Sequence, residues 1–302
     1  MIWITAAWAA CFVAIEWGLR DAPVLWYAAL RAVLAGAVLV GLGAFERRLT
    51  PTAARDWAWI TVLGLVNVTV AFAVMFAGVA SGTTGTAAVF ANAQPLLILL
   101  PAWWLYGEKL SASTSAALGL GFIGLVLVAV PGGGGSGAGL SLVSAAAVTG
   151  GTLLSRRLRG LDVVMFTGWH LLLGGAVLAA VAAVLEGPAV IAWTPRFVLT
   201  LLFLALVGTA ATTVAWFAEA RRSRLDALTA WTFLTPVVGI ALGIALLGER
   251  PTGWTAAGLG VVLAAMWIVL RRPPVPEPHR SPGPMPVARP PADFHPPSGD
   301  GQ

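Results

Sequence analysis

The chain has 302 residues, of which 58% are hydrophobic and only 10% are charged. Soluble domains are typically about 45–50% apolar and about 25% charged, so this composition excludes an ordinary soluble enzyme. The single cysteine excludes a disulfide framework and a Cys-rich metal site, and three histidines leave little room for a metal cluster. The net charge of +5 is spread over short clusters between long apolar runs, which is typical of a polytopic membrane protein rather than a nucleic-acid-binding one.

Apolar runs long enough to cross a bilayer recur along the whole chain. A helix needs about 20 apolar residues to span the hydrocarbon core. The first run lacks a basic start and contains tryptophans, so we expect a true span there and not a cleaved signal peptide. The sequence predicts ten transmembrane helices, at residues 2–19, 23–44, 57–77, 85–106, 113–131, 138–155, 163–185, 197–218, 226–247 and 252–270.

The basic residues indicate the orientation of these helices. If the N-terminus is cytoplasmic, the inner loops and tail hold fourteen of the eighteen Lys and Arg residues. Positive residues in short loops are retained in the cytoplasm. We therefore expect a multi-pass protein of the cytoplasmic membrane with both termini inside.

The chain also repeats itself. One constant shift in residue number, the repeat shift, superposes Pro95 on Pro236 and Glu108 on Glu249, and a slightly shorter shift superposes Arg31 on His170. Each copy contains five spans, and because five is odd the second copy enters the membrane from the opposite side. The sequence therefore predicts two inverted five-helix repeats, an architecture that places substrate sites near the midplane between the halves.

Four segments follow from this interpretation. The first repeat covers residues 1–131, a Gly-rich linker covers 132–139, the second repeat covers 140–272, and a tail covers 273–302. The tail contains eleven prolines and few apolar side chains, so we expect it to be disordered and cytoplasmic.

Charged groups inside spans are costly and mark candidate functional sites. Arg31 is a candidate cation for a substrate carboxylate, and the alternative is a structural ion pair with Glu16 in the neighbouring span. His170 is a candidate for substrate contact or proton coupling, and the alternative is a neutral side chain that bonds across helices. Glu16 and His170 are the two candidate coupling groups.

Uncharged polar side chains complete the candidate cavity. Thr209, Thr212, Thr213 and Trp216 follow helical spacing and form one stripe, which would either line a cavity or pack against a neighbour. Asn92 and Gln94 are about 200° apart on a helix, so we do not expect both to face one cavity. Pro95 and Pro236 are predicted hinges or kinks at matched positions. Further cavity candidates are Asn67, Asn92, Trp231 and Thr232.

The spans lack the sets of residues that enzymes require. No Ser/His/Asp set, carboxylate dyad at one depth or HExxH motif occurs in them. The sequence also contains no nucleotide-binding motif. We therefore expect no catalytic residues, cofactor, metal or ATP-driven step. Gly239 and Gly243 form a small-residue face that packs within the bundle, with a homodimer as the alternative.

The residues resemble a known family, the EamA-type transporters of the drug/metabolite transporter superfamily. The resemblance rests on the first two spans, on the paired segments from proline to Gly-Glu that end at Glu108 and Glu249, and on the seventh span around His170. It implies ten helices in an inverted arrangement and the export or exchange of small metabolites. Arg31 matches the arginine typical of the second span of this family.

The function expected from the sequence is secondary transport. The substrate would be a small polar or amphipathic metabolite, such as an amino acid or nucleobase, exported by alternating access within the lipid bilayer. An uncoupled channel or facilitator is the first alternative, and a membrane-embedded enzyme is the second. No nucleic-acid partner is expected.

Overall fold

Each of the ten predicted spans contains helix in the part that the structure describes, and the predicted all-helical membrane fold is confirmed. The structure is a computed structural model. It describes residues 1–82, 84–91, 93–97, 112–129, 136–158, 160–223, 228, 231–248, 250 and 252–270. These residues belong to one unit that extends to residue 271, and they contain no β-strand.

The helices are numbered in chain order. They are α1 Ile2–Gly18, α2 Val24–Phe45, α3 Ala54–Gly64, α4 Ala71–Ala80, α5 Thr84–Ala91, α6 Gln94–Leu97, α7 Ala112–Ala129, α8 Ser136–Ser155, α9 Val163–Leu185, α10 Pro195–Leu202, α11 Thr212–Ala220, α12 Leu234–Leu247 and α13 Gly253–Leu270. A π-helical segment, Leu65–Val70, joins α3 to α4, and a second, Phe203–Ala211, joins α10 to α11. Short 3₁₀ turns cover Arg156–Leu158 and Trp231–Phe233.

Five helices in the described part of the chain are long and apolar enough to cross a membrane. They are Val24–Phe45, Ala54–Ala80, Gly137–Leu158, Val163–Leu185 and Pro195–Ala220, and shorter apolar helices accompany them. Between 33% and 50% of each apolar stretch is buried inside the protein, and the remainder is partly or fully exposed. An apolar outer surface is suited to hydrocarbon, where every backbone polar group must be satisfied within the helix. The chain is therefore a multi-pass membrane protein.

The helix boundaries repeat in the same way as the sequence. The repeat shift carries the first residues of α3 and α4 onto those of α10 and α11, and it carries both ends of α7 onto those of α13. The slightly shorter shift, which pairs Arg31 with His170, carries the first residue of α2 onto that of α9. The two halves of the chain therefore fold into the same succession of elements.

Repeat mates α2 and α9 pack along their length and run in opposite directions. At one end, the Glu186 carboxylate beyond α9 accepts hydrogen bonds from the backbone N–H groups of Leu25 and Trp26, at 2.9 and 3.1 Å. At the other end, Asp162 caps α9 and accepts a 3.0 Å hydrogen bond from Arg48 beyond α2. Since the start of one helix meets the end of its mate, the second half is inverted relative to the first.

Glycines permit this close packing. A Cβ atom added to Gly36 on α2 would lie 2.6 Å from the backbone nitrogen of Leu172 and 2.8 Å from the carbonyl oxygen of Gly168, both on α9. Helices of membrane proteins associate through such small residues, because van der Waals contact replaces the hydrophobic effect there. The helices α2 and α9 therefore form a closely packed contact between the two halves.

Two predicted segments lie largely outside the described residues. Of the predicted linker at 132–139, the first four residues are outside, and α8 already begins at Ser136. The predicted disordered tail at 273–302 lies wholly outside.

Candidate functional site: a cavity between the two halves

The two π-helical segments occupy matching places in the repeat. The repeat shift carries Leu65–Val70 onto residues 206–211, which are the last six residues of Phe203–Ala211. A π-helical turn is rare, and such turns inside α-helices are frequently found at functional sites. Both segments here contribute to the same cavity, through Asn67 and Gly208.

This cavity has a volume of about 100 Å³, which is room for several water molecules or a small metabolite. Residues of both halves of the chain line it. Those of the first half are Trp8, Cys11, Phe12, Arg31, Asn67, Phe72, Met75, Ala91 and Gln94. Those of the second half are Ser144, Val148, Thr152, Leu171, Gly208, Thr213, Trp216 and Phe217.

Several lining positions are repeat mates. The repeat shift carries Asn67 to Gly208, Phe72 to Thr213 and Met75 to Trp216, and all of these line the cavity. The mates differ in chemistry, because Thr213 and Trp216 can donate hydrogen bonds where Phe72 and Met75 cannot. The cavity is therefore symmetric in its backbone framework and asymmetric in its side chains.

Arg31 is the charged residue of the cavity wall. It is 4% exposed, and its Nε donates a 2.6 Å hydrogen bond to Oγ1 of Thr209, while Nη2 donates to the carbonyl oxygen of Gly208 at 3.1 Å. The guanidinium carbon lies 4.6 Å from the centre of the Phe72 ring, a cation–π contact. The remaining nitrogen, Nη1, is buried and has no hydrogen-bond partner within the described chain.

The predicted alternative for Arg31, a pair with Glu16, does not occur. None of the ion pairs between described residues includes Arg31. The guanidinium is directed at Gly208 and Cys11, whereas Glu16 lies five residues beyond Cys11 on α1, about 7 Å further along the helix. Arg31 is therefore a buried cation with spare hydrogen-bonding capacity.

A second polar cluster lies on the cavity wall, centred on Thr152. Its Oγ1 accepts hydrogen bonds from Nε2 of Gln94 at 2.8 Å and from Nε1 of Trp216 at 3.2 Å, and it donates to the carbonyl oxygen of Val148 at 3.0 Å. Gln94 belongs to the first half of the chain, and Thr152 and Trp216 to the second. The cluster thus joins the two halves through side-chain hydrogen bonds on the cavity wall.

Other predicted residues are buried beside the cavity without lining it. Thr209 bonds Arg31, and Thr212 donates to the carbonyl oxygen of Thr209 at 3.4 Å. His170 is fully buried, with Nδ1 3.2 Å from the carbonyl oxygen of Phe166 and Nε2 without a partner in the described chain. Trp231 is partly buried and Thr232 fully buried in the 3₁₀ turn before α12, and neither is among the described lining residues.

The two predicted hinge prolines each lie in the first turn of a helix. Pro95 is the second residue of α6, which follows an interruption at Ala93, and Pro236 is the third residue of α12, which follows a 3₁₀ turn. Proline is tolerated there because the first backbone N–H groups of a helix have no partner within it. Asn92, Glu108 and Glu249 lie outside the described residues.

The sequence predictions missed several lining residues. Ser144 and Thr152 belong to a polar series on α8 that also contains Ser141 and Ser155, and its spacings of three and eight residues could have revealed a helix face. Phe72 and Met75 could have been found as the repeat mates of Thr213 and Trp216. Cys11 carries no such signal.

Comparisons with known proteins agree with this architecture. The EamA-like transporter family matches the chain twice, over residues 1–130 and 135–271. Protein PecM of Dickeya dadantii is 29% identical over 265 residues, which are 85% of this chain and 86% of PecM. A chloroplastic WAT1-related protein of Arabidopsis thaliana is 28% identical over 276 residues. Those residues are 87% of this chain but only 66% of the plant protein.

A solved structure shares the fold. One crystal structure superposes with a TM-score of 0.70 at 20% identity and covers 88% of this chain and 94% of that one.

Proposed function

The chain belongs to the EamA-like transporter family, and from this premise we propose that it is a secondary transporter for a small amphipathic metabolite that carries a carboxylate. We further propose that it exports this metabolite across the cytoplasmic membrane by alternating access of the cavity. The observation that supports this most is Arg31, a buried cation in a cavity between two inverted halves.

The unpartnered Nη1 group of Arg31 favours an anionic ligand. A buried polar group without a partner is unfavourable, and a carboxylate suits the planar guanidinium, which donates two parallel hydrogen bonds. Because Nε and Nη2 are already held by the second half of the chain, the guanidinium is preorganised and loses little side-chain entropy on binding. The carboxylate of the ligand would accept the hydrogen bond for which Nη1 has no partner among the described residues.

The rest of the wall favours an amphipathic body. Trp8, Phe12, Trp216 and Phe217 offer flat apolar surface, while Asn67, Gln94 and Ser144 offer hydrogen bonds. Ligand sites commonly combine an apolar lining with a few polar groups that fix orientation. Amino acids and other small carboxylates with an apolar side group match this combination, whereas uncharged nucleobases leave Arg31 unsatisfied.

Counterflow in proteoliposomes tests the proposal. Purified protein is reconstituted with one unlabelled compound inside, and uptake of the same labelled compound is measured from a panel of amino acids, other carboxylates, their methyl esters and nucleobases. We expect saturable counterflow for at least one carboxylate and none for its ester. Flux that neither saturates nor depends on internal compound would indicate a channel instead.

The direction and orientation need a separate measurement. Cytoplasmic loops rich in Lys and Arg support a membrane orientation with both termini inside. A fluorescent protein that folds only in the cytoplasm, fused to the C-terminus, should fluoresce, whereas a periplasmic phosphatase fused there should stay inactive. Efflux from loaded cells then distinguishes export from uptake.

A further inference from the structure

The only thiol of the chain lies on the wall of the cavity. Cys11 on α1 is the single cysteine and is 3% exposed. Its Sγ lies 3.9 Å from the carbonyl oxygen of Gly208, to which the thiol donates, and 3.9 Å from Nη2 of Arg31. Since it lines the cavity, a reagent that enters the cavity comes into contact with this thiol.

A second observation indicates which reagents would react. Arg31 contacts the thiol and is the charged residue among the described lining residues. It is 4% exposed, and its Nη1 has no hydrogen-bond partner among the described residues. A buried cation in a region of low dielectric concentrates anions far more strongly than one in water. An anionic molecule in this cavity would therefore be held next to the sulfur, which raises its effective concentration there.

We propose that Cys11 is a modification site inside the substrate cavity, at which small anionic electrophiles bound by Arg31 become covalently attached and block transport. The proposal rests on the proposed function in one respect: the same guanidinium holds the anion in both. It adds a second class of ligand, electrophiles that combine a carboxylate or sulfonate with a thiol-reactive centre.

The chemistry is ordinary thiol substitution or addition. With an anionic thiosulfonate, the Cys11 sulfur loses its proton to water and attacks the sulfenyl sulfur, a new S–S bond forms, and a sulfinate leaves with the electrons of the broken S–S bond. With an α,β-unsaturated carboxylate, a C–S bond forms at the β-carbon, the C=C double bond becomes single, and the α-carbon takes up a proton. Neither reaction requires an oxidant or a metal.

The packing around Cys11 directs any adduct into the cavity. A Cβ atom added to Gly208 would collide with Sγ of Cys11, so no space remains between α1 and the second π-helical segment. We expect an adduct to extend into the cavity instead, beside Arg31 and the aromatic side chains of Trp8, Phe12 and Trp216, where the substrate would bind. Modification should therefore prevent substrate binding without unfolding the protein.

Two thiosulfonates of similar size and opposite charge provide the test. Protein in proteoliposomes is treated with 2-sulfonatoethyl methanethiosulfonate or with 2-(trimethylammonio)ethyl methanethiosulfonate, and adduct formation is followed by intact mass. Each rate is divided by the rate of the same reagent with a small free thiol. We expect a single adduct and a normalised rate about tenfold higher for the anionic reagent, as attraction to a focused charge predicts. Dithiothreitol should remove the adduct and restore flux.

Variants separate the contributions of the thiol and of the charge. Cys11→Ser should gain no mass, and its own flux, whatever its level, should be the same before and after treatment. Arg31→Gln should remove the preference for the anionic reagent, and Arg31→Lys should retain part of it. Labelling that appears only after denaturation in detergent, or equal normalised rates for both reagents, would overturn the proposal.

The result is independent of substrate identity. If the anionic reagent labels Cys11 preferentially and no carboxylate of the panel slows the labelling, the proposed substrate class fails while the modification site stands. If a carboxylate undergoes counterflow but Cys11 resists both reagents in the folded protein, the modification site fails while the proposed function stands.

Discussion

Arg31 and Thr209, far apart in sequence and in opposite halves of the chain, are joined by a hydrogen bond of 2.6 Å between Nε and Oγ1. The guanidinium therefore originates from one half and is held by the other. Alternating access moves the halves relative to each other. In the proposed transport mechanism, that motion and the bound ligand would therefore act on the same side chain, Arg31.

Replacement of Arg31 should affect carboxylates selectively. Hydrogen bonds to charged groups contribute about 1.5–3 kcal/mol, so Arg31→Gln should weaken apparent affinity for a transported carboxylate about 10- to 100-fold. Arg31→Lys should lose less affinity than Arg31→Gln, because lysine keeps the positive charge but lacks the planar guanidinium that donates two parallel hydrogen bonds. Concentration-dependent counterflow measures both variants, with Arg20→Gln, at an exposed position after α1, as the matched control. Equal affinity in Arg31→Gln would contradict the proposed anchor.

Removal of the Thr152 hydroxyl should destabilise the fold. Thr152→Val leaves Nε2 of Gln94 and Nε1 of Trp216 without their acceptor. A buried donor that loses its partner costs about 1–3 kcal/mol, which should lower the Tm of the purified protein in detergent by several degrees. Thr61→Val is the matched control, because its hydroxyl is exposed and, among the described residues, donates only to the Trp57 carbonyl oxygen. Equal Tm values for the two variants would show that the hydrogen bonds to Thr152 do not contribute to the stability of the fold.

Two glycines of α2 should respond differently to the same change. A methyl group at Gly36 would meet the backbone of α9, whereas one at Gly41 would meet nothing within 4 Å. Overpacking typically costs about 1–3 kcal/mol, so Gly36→Ala should lower both Tm and membrane abundance. Gly41→Ala should leave both unchanged or slightly raised, since alanine favours helix. Similar behaviour of the two variants would argue against the fitted contact of α2 with α9.

Asp162 should matter more as a helix cap than as an ion-pair partner. Its Oδ1 accepts from the backbone N–H groups of Val164 and Met165, while Oδ2 pairs with Arg48 on the surface. Loss of a cap typically costs about 1 kcal/mol. Asp162→Ala should therefore lower Tm measurably, and Asp162→Asn, which can still cap, should restore most of it.

Arg48→Gln tests the ion pair on the other oxygen of Asp162. Hydrogen bonds to Glu46 and then to Asp162 raise the pKa of Arg48, but its side chain faces solvent, where ion pairs are screened. We expect no measurable change of Tm in this variant. A larger loss of Tm in Arg48→Gln than in Asp162→Ala would mean that the ion pair outweighs the cap.

The membrane fold was predictable from the sequence because each of its determinants is local. Apolar runs of bilayer length predict helices regardless of their neighbours, and the positions of the prolines and glutamates reveal the repeat. The high cost of charge in hydrocarbon also identified Arg31 as a candidate site residue. It left open whether Arg31 pairs with Glu16, and only the structure shows Arg31 outside the ion pairs of the described residues. Apolar runs, repeated motifs and a charge inside a span are all identified from the residues of short segments, so the sequence is sufficient to find them.

The identity of the cavity wall was less predictable. The angle calculated between Asn92 and Gln94 assumed a continuous helix, but the helix is interrupted at Ala93, and Gln94 reaches Thr152. Likewise, the wider π-helical turn before Thr212 changes the rotation per residue, so one threonine stripe becomes two sets with different partners. The hydrogen-bond partners of Gln94 and Arg31 belong to the other half of the chain, so the periodicity of the local sequence cannot predict them.

The matched π-helical segments bear on how the molecule arose. A wide turn at the same place in both halves is most simply inherited from one ancestral five-helix unit that already had it before duplication. Two such units, inserted in opposite directions and paired, would have enclosed a cavity with two identical walls. After the two units were fused into one chain, the walls no longer had to be identical, because each copy could change independently. The repeat mates Asn67 and Gly208, and likewise Met75 and Trp216, now differ in chemistry. A ligand of the proposed transporter would therefore meet two different walls, which would favour a single binding orientation.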